Sequence, residues 1–289
     1  MTEDTVDWRS LFGYFSPAAA VGFIRDRGMA LDAQAAKRFA EEVSRARHYV
    51  SSLGSRGSVS PKFEDFPRGH EERLARIRES PEFSEYVTGA LNWSFGMVEL
   101  AKLRVYQPHI NLERARMMVR KAPDPGDVEG TVSYCLPLKG ETLDPRTIVN
   151  YDEAQKAYSL VSESPDMRVL GSVKLEYAKK RMGVGFIYGF GHAELSVVRY
   201  KGIPVLMNGY HRAYALLKKG HSMVPSVLVT TDDFGRTGMN QPLAFPFYLV
   251  ASDRAPIMQD FLSPAAVIAP WKRTRTILTV HAGVEIVQL

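Results

Sequence analysis

The sequence predicts an α/β (α+β) protein, a mixed sheet with packed helices, preceded by a helical N-terminal region. Three observations point there. Apolar residues recur at helical steps over the first part of the chain. β-prone runs take over from about Phe95. Strand, helix and strand then follow one another in "LMNGYHRAYALLKKGHSMVPSVLV", Leu206 to Val229. The expected division is a helical region over 1–94, a mixed body over 95–231, and a C-terminal extension over 232–289 holding a helix and a hairpin.

The elements follow in order. "SPAAAVGFIRDRG" offers Ser16 and Pro17 as N-cap and first helical residue and Gly28 as stop. The next helix is capped by Asp32, carries an apolar stripe of Ala35, Phe39, Val43, Ala46 and Val50, and stops at Gly54. A Gly-, Ser- and Pro-rich loop leads to a short helix around "EERLARIRE", and "SPEFSEYVTGALNW" adds a turn or two. "FGMVELAKLRVYQ" reads as strand, "INLERARMMVRK" as helix, and "GTVSYCLPL" as strand. The stretch from Asp144 to Gly171 mixes a short helix pattern with a strand near Met167–Leu170. "GFIYGFG", "AELSVVRY" and "IPVLMNG" are strands, the last two joined by a Lys201-Gly202 turn. After Thr231 come a Gly-rich loop, a helix in "SDRAPIMQDFL", and a hairpin about His281-Ala282-Gly283.

The 289 residues are 45% apolar and 24% charged, which suits a chain that buries a sizeable core. Lys and Arg exceed Asp and Glu by 37 − 32 = 5, a mild excess compatible with phosphate or nucleic acid and with neither. The single cysteine, Cys135, excludes an internal disulfide and reads as a buried, inert thiol. "MTEDTVDWRS" has no apolar leader core, and runs such as "PLAFPFYLVA" fall short of the ~20 residues that span a bilayer. A cytoplasmic protein with no membrane partner is expected. HExxH, paired CxxC, GxSxG and a Walker-type loop are all missing from the sequence, against the commonest hydrolase and NTPase classes.

The chemistry concentrates at Asn208, Gly209, Tyr210, His211 and Arg212. Asn208 can cap the helix that follows, and Gly209 lets the backbone turn sharply and a ligand come close. Tyr210, Ala213, Tyr214 and Leu217 form the buried face, and Gly220 ends the helix. His211 and Arg212 then sit in the first turn, where free N–H groups and the helix dipole favour an anion. A guanidinium fork adds paired donors for phosphate or carboxylate oxygens. The competing reading has Arg212 paired with a carboxylate of the body and His211 as a hydrogen-bonded packing residue.

"NGYHRAYALLKKGHSMVPSVLV" resembles the sulfiredoxin and ParB-like superfamily, through Gly209, His211, Arg212, Gly220, Val224 and Pro225. "VELAKLRVYQPHINLERA" looks like the first strand and helix of such domains, so the likeness spans Phe95 to Thr231. The resemblance implies a ParB/sulfiredoxin-like fold whose turn and helix N-terminus hold nucleotide phosphates. Tyr210 stands where sulfiredoxins carry their cysteine, which removes the basis for sulfinic acid reduction. Asn208 stands where the ParB-like free serine kinases carry an acid, and an amide cannot act as a base. The helix-turn-helix module of ParB partition proteins has no counterpart in the pattern after Thr231.

The expected function is therefore binding of a phosphate-bearing small molecule, a nucleotide with Mg²⁺, at Asn208–Arg212, for phosphoryl transfer or nucleotide hydrolysis. The alternative is a non-enzymatic nucleotide-gated or nucleic-acid-associated module, or a scaffold whose N-terminal helices form an interface. The sequence names no catalytic residue and no metal ligand. His192, Asp166, Glu176, Glu194, Gln107 and His109 are further polar candidates, each with packing, capping or solvation as the competing role. "WKRTRT" reads as a charged edge strand in preference to a nucleic-acid contact.

Overall fold

The computed structural model describes residues 5–56, 60–80, 83–84, 87–138, 147–162, 167–178, 181–189, 194–241 and 243–281. The protein is mixed α and β, and it divides into two units, Met1–Glu141 with Ala193–Lys272, and Thr142–His192 with Arg273–Leu289.

In the first unit, helices α1 (Pro17–Asp26) and α2 (Ala33–Ser52) start where their caps dictate. Ser16 Oγ accepts from the Ala19 N–H at 3.2 Å, and Asp32 Oδ1 from the Ala35 N–H at 2.7 Å. The expected stripe of α2 faces inward, with Val43 and Ala46 buried. It covers a three-stranded sheet that the sequence reading did not anticipate, in the order β13 (Val267–Lys272), β1 (Thr5–Ser10), β5 (His109–Asn111). The strand β13 is its edge, and the run Trp271–Thr276 straddles its end. Trp271 turns inward and Lys272 outward.

The second sheet of this unit has six strands, in the order β2 (Phe63–Asp65), β3 (Asn92–Glu99), β12 (Met223–Thr231), β10 (Ser196–Tyr200), β11 (Ile203–Asn208), β4 (Arg104–Val105). Its inner strands read as apolar runs because both faces are covered, and Val197, Val205, Leu206, Val224 and Val227 are all buried. Each such side chain contributes about 1.5–3 kcal/mol over its exposed state. β10 and β11 are antiparallel and joined by Lys201-Gly202, both at positive φ, as the sequence suggested. From β11 the chain passes through α6 (Tyr210–Lys219) and returns as β12, beyond β10. Three further helices belong here: α3 (Glu71–Arg78), α4 (Leu112–Lys121) and α5 (Val128–Cys135).

Two expectations need correction in this unit. Thr131–Cys135 is helical, where β-branched composition suggested a strand. Asp127 Oδ1 accepts from the Gly130 N–H at 2.8 Å, and this cap together with a buried face of Thr131, Val132 and Cys135 outweighs β propensity. The expected helix in "SDRAPIMQDFL" is the short 3-10 helix Met258–Leu262. Just before it the chain is extended, with Pro256 O accepting from Val105 N–H and Ile257 bridged to Arg104. A short helix α7 (Phe247–Val250) precedes this segment.

The second unit is built from strands. β6 (Thr147–Asp152), β7 (Ala157–Ser162) and β14 (Thr276–His281) form a three-stranded antiparallel sheet, order β14-β7-β6. No described helix forms in the Asp144–Gly171 stretch, where a short helix pattern was expected, and Asp152–Lys156 is a hairpin turn between β6 and β7. Asp152 Oδ1 accepts from the Gln155 N–H at 2.9 Å and Lys156 adopts φ +48°. β8 (Arg168–Ala178) and β9 (Arg181–Gly189) make a separate two-stranded ribbon. The C-terminal turn expected at His281-Ala282-Gly283 falls on residues 282–289, outside the described residues.

Candidate functional site

The turn between β11 and α6 is built by one glycine. Gly209 adopts φ +92° and is the N-cap of α6, with no side-chain capping bond. A Cβ at that position would lie 3.2 Å from Leu195 Cα. Leu195 cannot yield, because its N–H donates to Cys135 O at 2.8 Å and its carbonyl accepts from Val227 N–H at 3.0 Å. Asn208, expected as the cap, ends β11 instead, and its Nδ2 donates to the Glu194 carbonyl at 2.9 Å. The cap role therefore passes to Gly209, whose left-handed conformation ends the strand sharply.

Tyr210 is a structural residue of this turn. Its buried hydroxyl accepts from the N–H groups of Tyr106 at 3.0 Å and Gln107 at 3.2 Å, and donates to Leu206 O at 2.8 Å. Burial raises its pKa well above the ordinary tyrosine range. All the hydrogen-bonding capacity of that oxygen is taken by backbone, and the helix is tied to the chain that leaves β4.

His211 joins two helix starts. Its Nε2 accepts from the Asn111 N–H at 3.1 Å, and Asn111 is the N-cap of α4, with Oδ1 accepting from Arg114 N–H at 3.0 Å. Burial, and then the positive charge of Arg114, lower the imidazole pKa to about 3. The ring is neutral at pH 7, and with Nε2 accepting, its proton resides on Nδ1.

Arg212 lies part-buried with its guanidinium carbon 5.5 Å from the centre of the Tyr134 ring. Burial lowers its pKa, opposed by Cys135, Tyr134 and Glu194, while Arg114 adds repulsion. Thus Arg114, Tyr134 and Glu194, from α4, α5 and the segment before β10, join the sequence-predicted turn. Burial pushes the Cys135 thiol up to about 12, so it stays protonated there, as an inert core thiol should.

The remaining candidates scatter. Gln107 reaches the turn through its backbone, and its Nε2 donates to His109 O at 3.1 Å. His109 is buried away from the turn, stacked on Phe23 at 4.6 Å and held to Ser10 Oγ at 2.8 Å. Glu176 is exposed on β8 in the other unit. Asp166 and His192 lie outside the described residues. Arg114 and Tyr134 had no signal in the sequence, since each reaches the turn from a helix some distance away along the chain.

Two concavities are found elsewhere in the first unit. One of about 110 Å³ is lined by Asn92, Ser94, Arg199 and Thr230 among others, and one of about 450 Å³ by Glu42, Arg45 and Ile268 among others. Among the described residues no group of three or more His, Cys, Asp or Glu side chains is placed to hold a metal ion. No described helix is long and apolar enough to cross a membrane. No protein-family model, no curated protein and no solved structure matches the chain.

Proposed function

We propose that this chain is a ParB/sulfiredoxin-like protein that binds a phosphate-bearing small molecule, a nucleotide, at Asn208–Arg212 in a cytoplasmic setting. The observation that carries the reading is the 3.1 Å bond from Asn111 N–H to His211 Nε2, which draws the N-terminus of α4 to that of α6. Two helix dipoles then direct their positive ends to one place, with an arginine in the first turn of each, Arg114 and Arg212. That concentration of positive charge costs repulsion, and a dianionic phosphate relieves it. Gly209 packs directly against Leu195 and turns the chain into α6 there, and the guanidinium of Arg212 offers paired donors.

The individual roles follow from this geometry. Asn208 and Tyr210 hold the turn through the bonds already described. Neutral His211 positions α4 against α6, and its Nδ1 proton is the one it can donate. Mg²⁺ commonly uses one or two carboxylates together with substrate phosphates, and Glu194 is the acid brought near Arg212. Turnover would separate phosphoryl transfer or hydrolysis from a nucleotide-gated module.

Thermal unfolding of the full chain with ATP, ADP, CTP, GTP, GDP or inorganic phosphate, with and without Mg²⁺, tests the site. A ligand at about a hundred times its dissociation constant stabilises by ~2.7 kcal/mol, a shift of a few degrees. Arg212→Lys keeps the charge but removes the fork, and should reduce that shift. Arg114→Ala should reduce it from the opposite helix. An undiminished shift in both variants would place the ligand elsewhere.

A further inference from the structure

A small hollow on one face of the six-stranded sheet carries polar groups that the protein itself does not engage. Two cross-strand rows form it. Asn92, Thr230, Arg199 and Pro204 stand opposite one another along β3, β12, β10 and β11, and Ser94, Leu228 and Val197 make a neighbouring row. Opposed residues share a face of the sheet, so the two rows project to the same side. Phe63 from β2 adds an aromatic wall, and about 110 Å³ of space lies among them.

The lining is divided in its chemistry. Val197, Leu228, Pro204 and Phe63 supply apolar surface, with Val197 and Pro204 buried. Asn92, Ser94, Thr230 and Arg199 supply donors, and none of the described residues lining the hollow is acidic. Arg199 is the decisive group. Its guanidinium carbon lies 5.1 Å from the centre of the Phe63 ring, an attraction that holds a long side chain across the hollow. Among the described residues no carboxylate pairs with it, and no side-chain hydrogen bond occupies it or Asn92, Ser94 or Thr230. The aromatic contact thus positions the cation without consuming its N–H donors.

Polarity and size select the ligand. A phosphate would turn its remaining oxygens onto Val197, Leu228 and Phe63, where nothing can hydrogen-bond to them. A carboxylate presents both oxygens to one guanidinium fork and leaves its hydrocarbon part for the apolar surface. An apolar cavity of about 150 Å³ holds a benzene ring, so one of this volume takes a body of roughly four carbons. We infer that the hollow binds a short aliphatic monocarboxylate of about that length, its carboxylate on Arg199 and its chain on Val197 and Leu228. It does not depend on a ligand at Asn208–Arg212.

An amide NMR titration of the full chain with butyrate, up to about 20 mM, tests this. The signals of Ser94, Arg199 and Thr230 should shift saturably, with a dissociation constant of about 1 mM. Arg199→Gln removes the charge but keeps a long polar side chain, and Ser94→Leu fills the hollow with Arg199 intact. Both positions are exposed, so the variants should melt like the wild type. Each should weaken butyrate binding about tenfold or more. Arg212→Lys should leave it unchanged, and inorganic phosphate at the same concentration should not displace butyrate. No saturable shift at these signals, or equal affinity in Arg199→Gln and Ser94→Leu, would overturn the inference. So would loss of binding in Arg212→Lys, or displacement by phosphate.

Discussion

Acidification from pH 7 to pH 5 should destabilise the first unit through two buried imidazoles, His109 and His211. His109 is 3% exposed, stacked on Phe23 at 4.6 Å and edge-on to Trp271 at 4.8 Å. Its Nδ1 is 2.8 Å from Ser10 Oγ, and Arg27 is the charged neighbour. Burial first, and Arg27 second, lower its pKa from 6.5 to about 3. Between these values the unfolded chain binds a proton that the folded chain refuses. Stability is therefore complete above pH 6.5 and is lost as pH falls toward 3. At pH 5 the gap from the unfolded pKa is about 1.5 units, and at ~1.4 kcal/mol per unit the loss is about 2 kcal/mol. His211, lowered for the same reason and by Arg114, acts in the same direction. Urea unfolding at both pH values, for wild type and His109→Phe, isolates the residue. The variant keeps an aromatic ring among its neighbours but cannot titrate, so it should lose about 2 kcal/mol less on acidification. Equal losses in the two proteins would refute the argument, as would an imidazole resonance titrating near 6.5.

Two other substitutions test the framework around the turn. Gly209→Ala forces a side chain into φ +92° and against Leu195, and should cost about 1–3 kcal/mol in urea unfolding; a neutral result would mean the turn can relax. Asp260 is 1% exposed and accepts from Arg56 at 2.7 and 2.8 Å, from Tyr14 Oη at 2.7 Å and from Ile257 N–H at 2.9 Å. Arg56→Met leaves that buried carboxylate without its cation, so calorimetry should find a loss of about 3–5 kcal/mol, and a loss below ~1 kcal/mol would show that solvent reaches the site.

The sequence was most legible where one residue type satisfies a local rule. Ser16, Asp32 and Gly220 bound their helices where capping chemistry demands, and Lys201-Gly202 turned the β10–β11 hairpin. It was misleading where local rules compete. "GTVSYC" is β-prone in composition, yet Asp127 supplies a cap and the interior accepts a helical face. The stretch Asp144–Gly171 was read as partly helical, yet its β-prone runs β6 and β7 pair with each other once Asp152 closes the turn. β1 was not read at all. Its partners β13 and β5 lie far along the chain, and nothing in "TVDWRS" signals them.

At the turn itself the same distinction separates the residues. Gly209 could be read from sequence because the conformation it permits is a property of that one residue. The contributions of Asn208, Tyr210 and His211 could not, because each depends on a partner brought by the fold. Asn208 has Glu194, Tyr210 has the backbone after β4, and His211 has Asn111. Three of the five residues expected to form the site, Asn208, Tyr210 and His211, are thus engaged with protein. The proposed anion site would draw on Arg212, which also faces Tyr134 and Glu194, on the N–H groups of the first turn, and on Arg114 from the neighbouring helix. The proposed anion site depends on two helices meeting, and a substitution at the His211–Asn111 contact should weaken phosphate-induced stabilisation without touching Arg212 or Arg114.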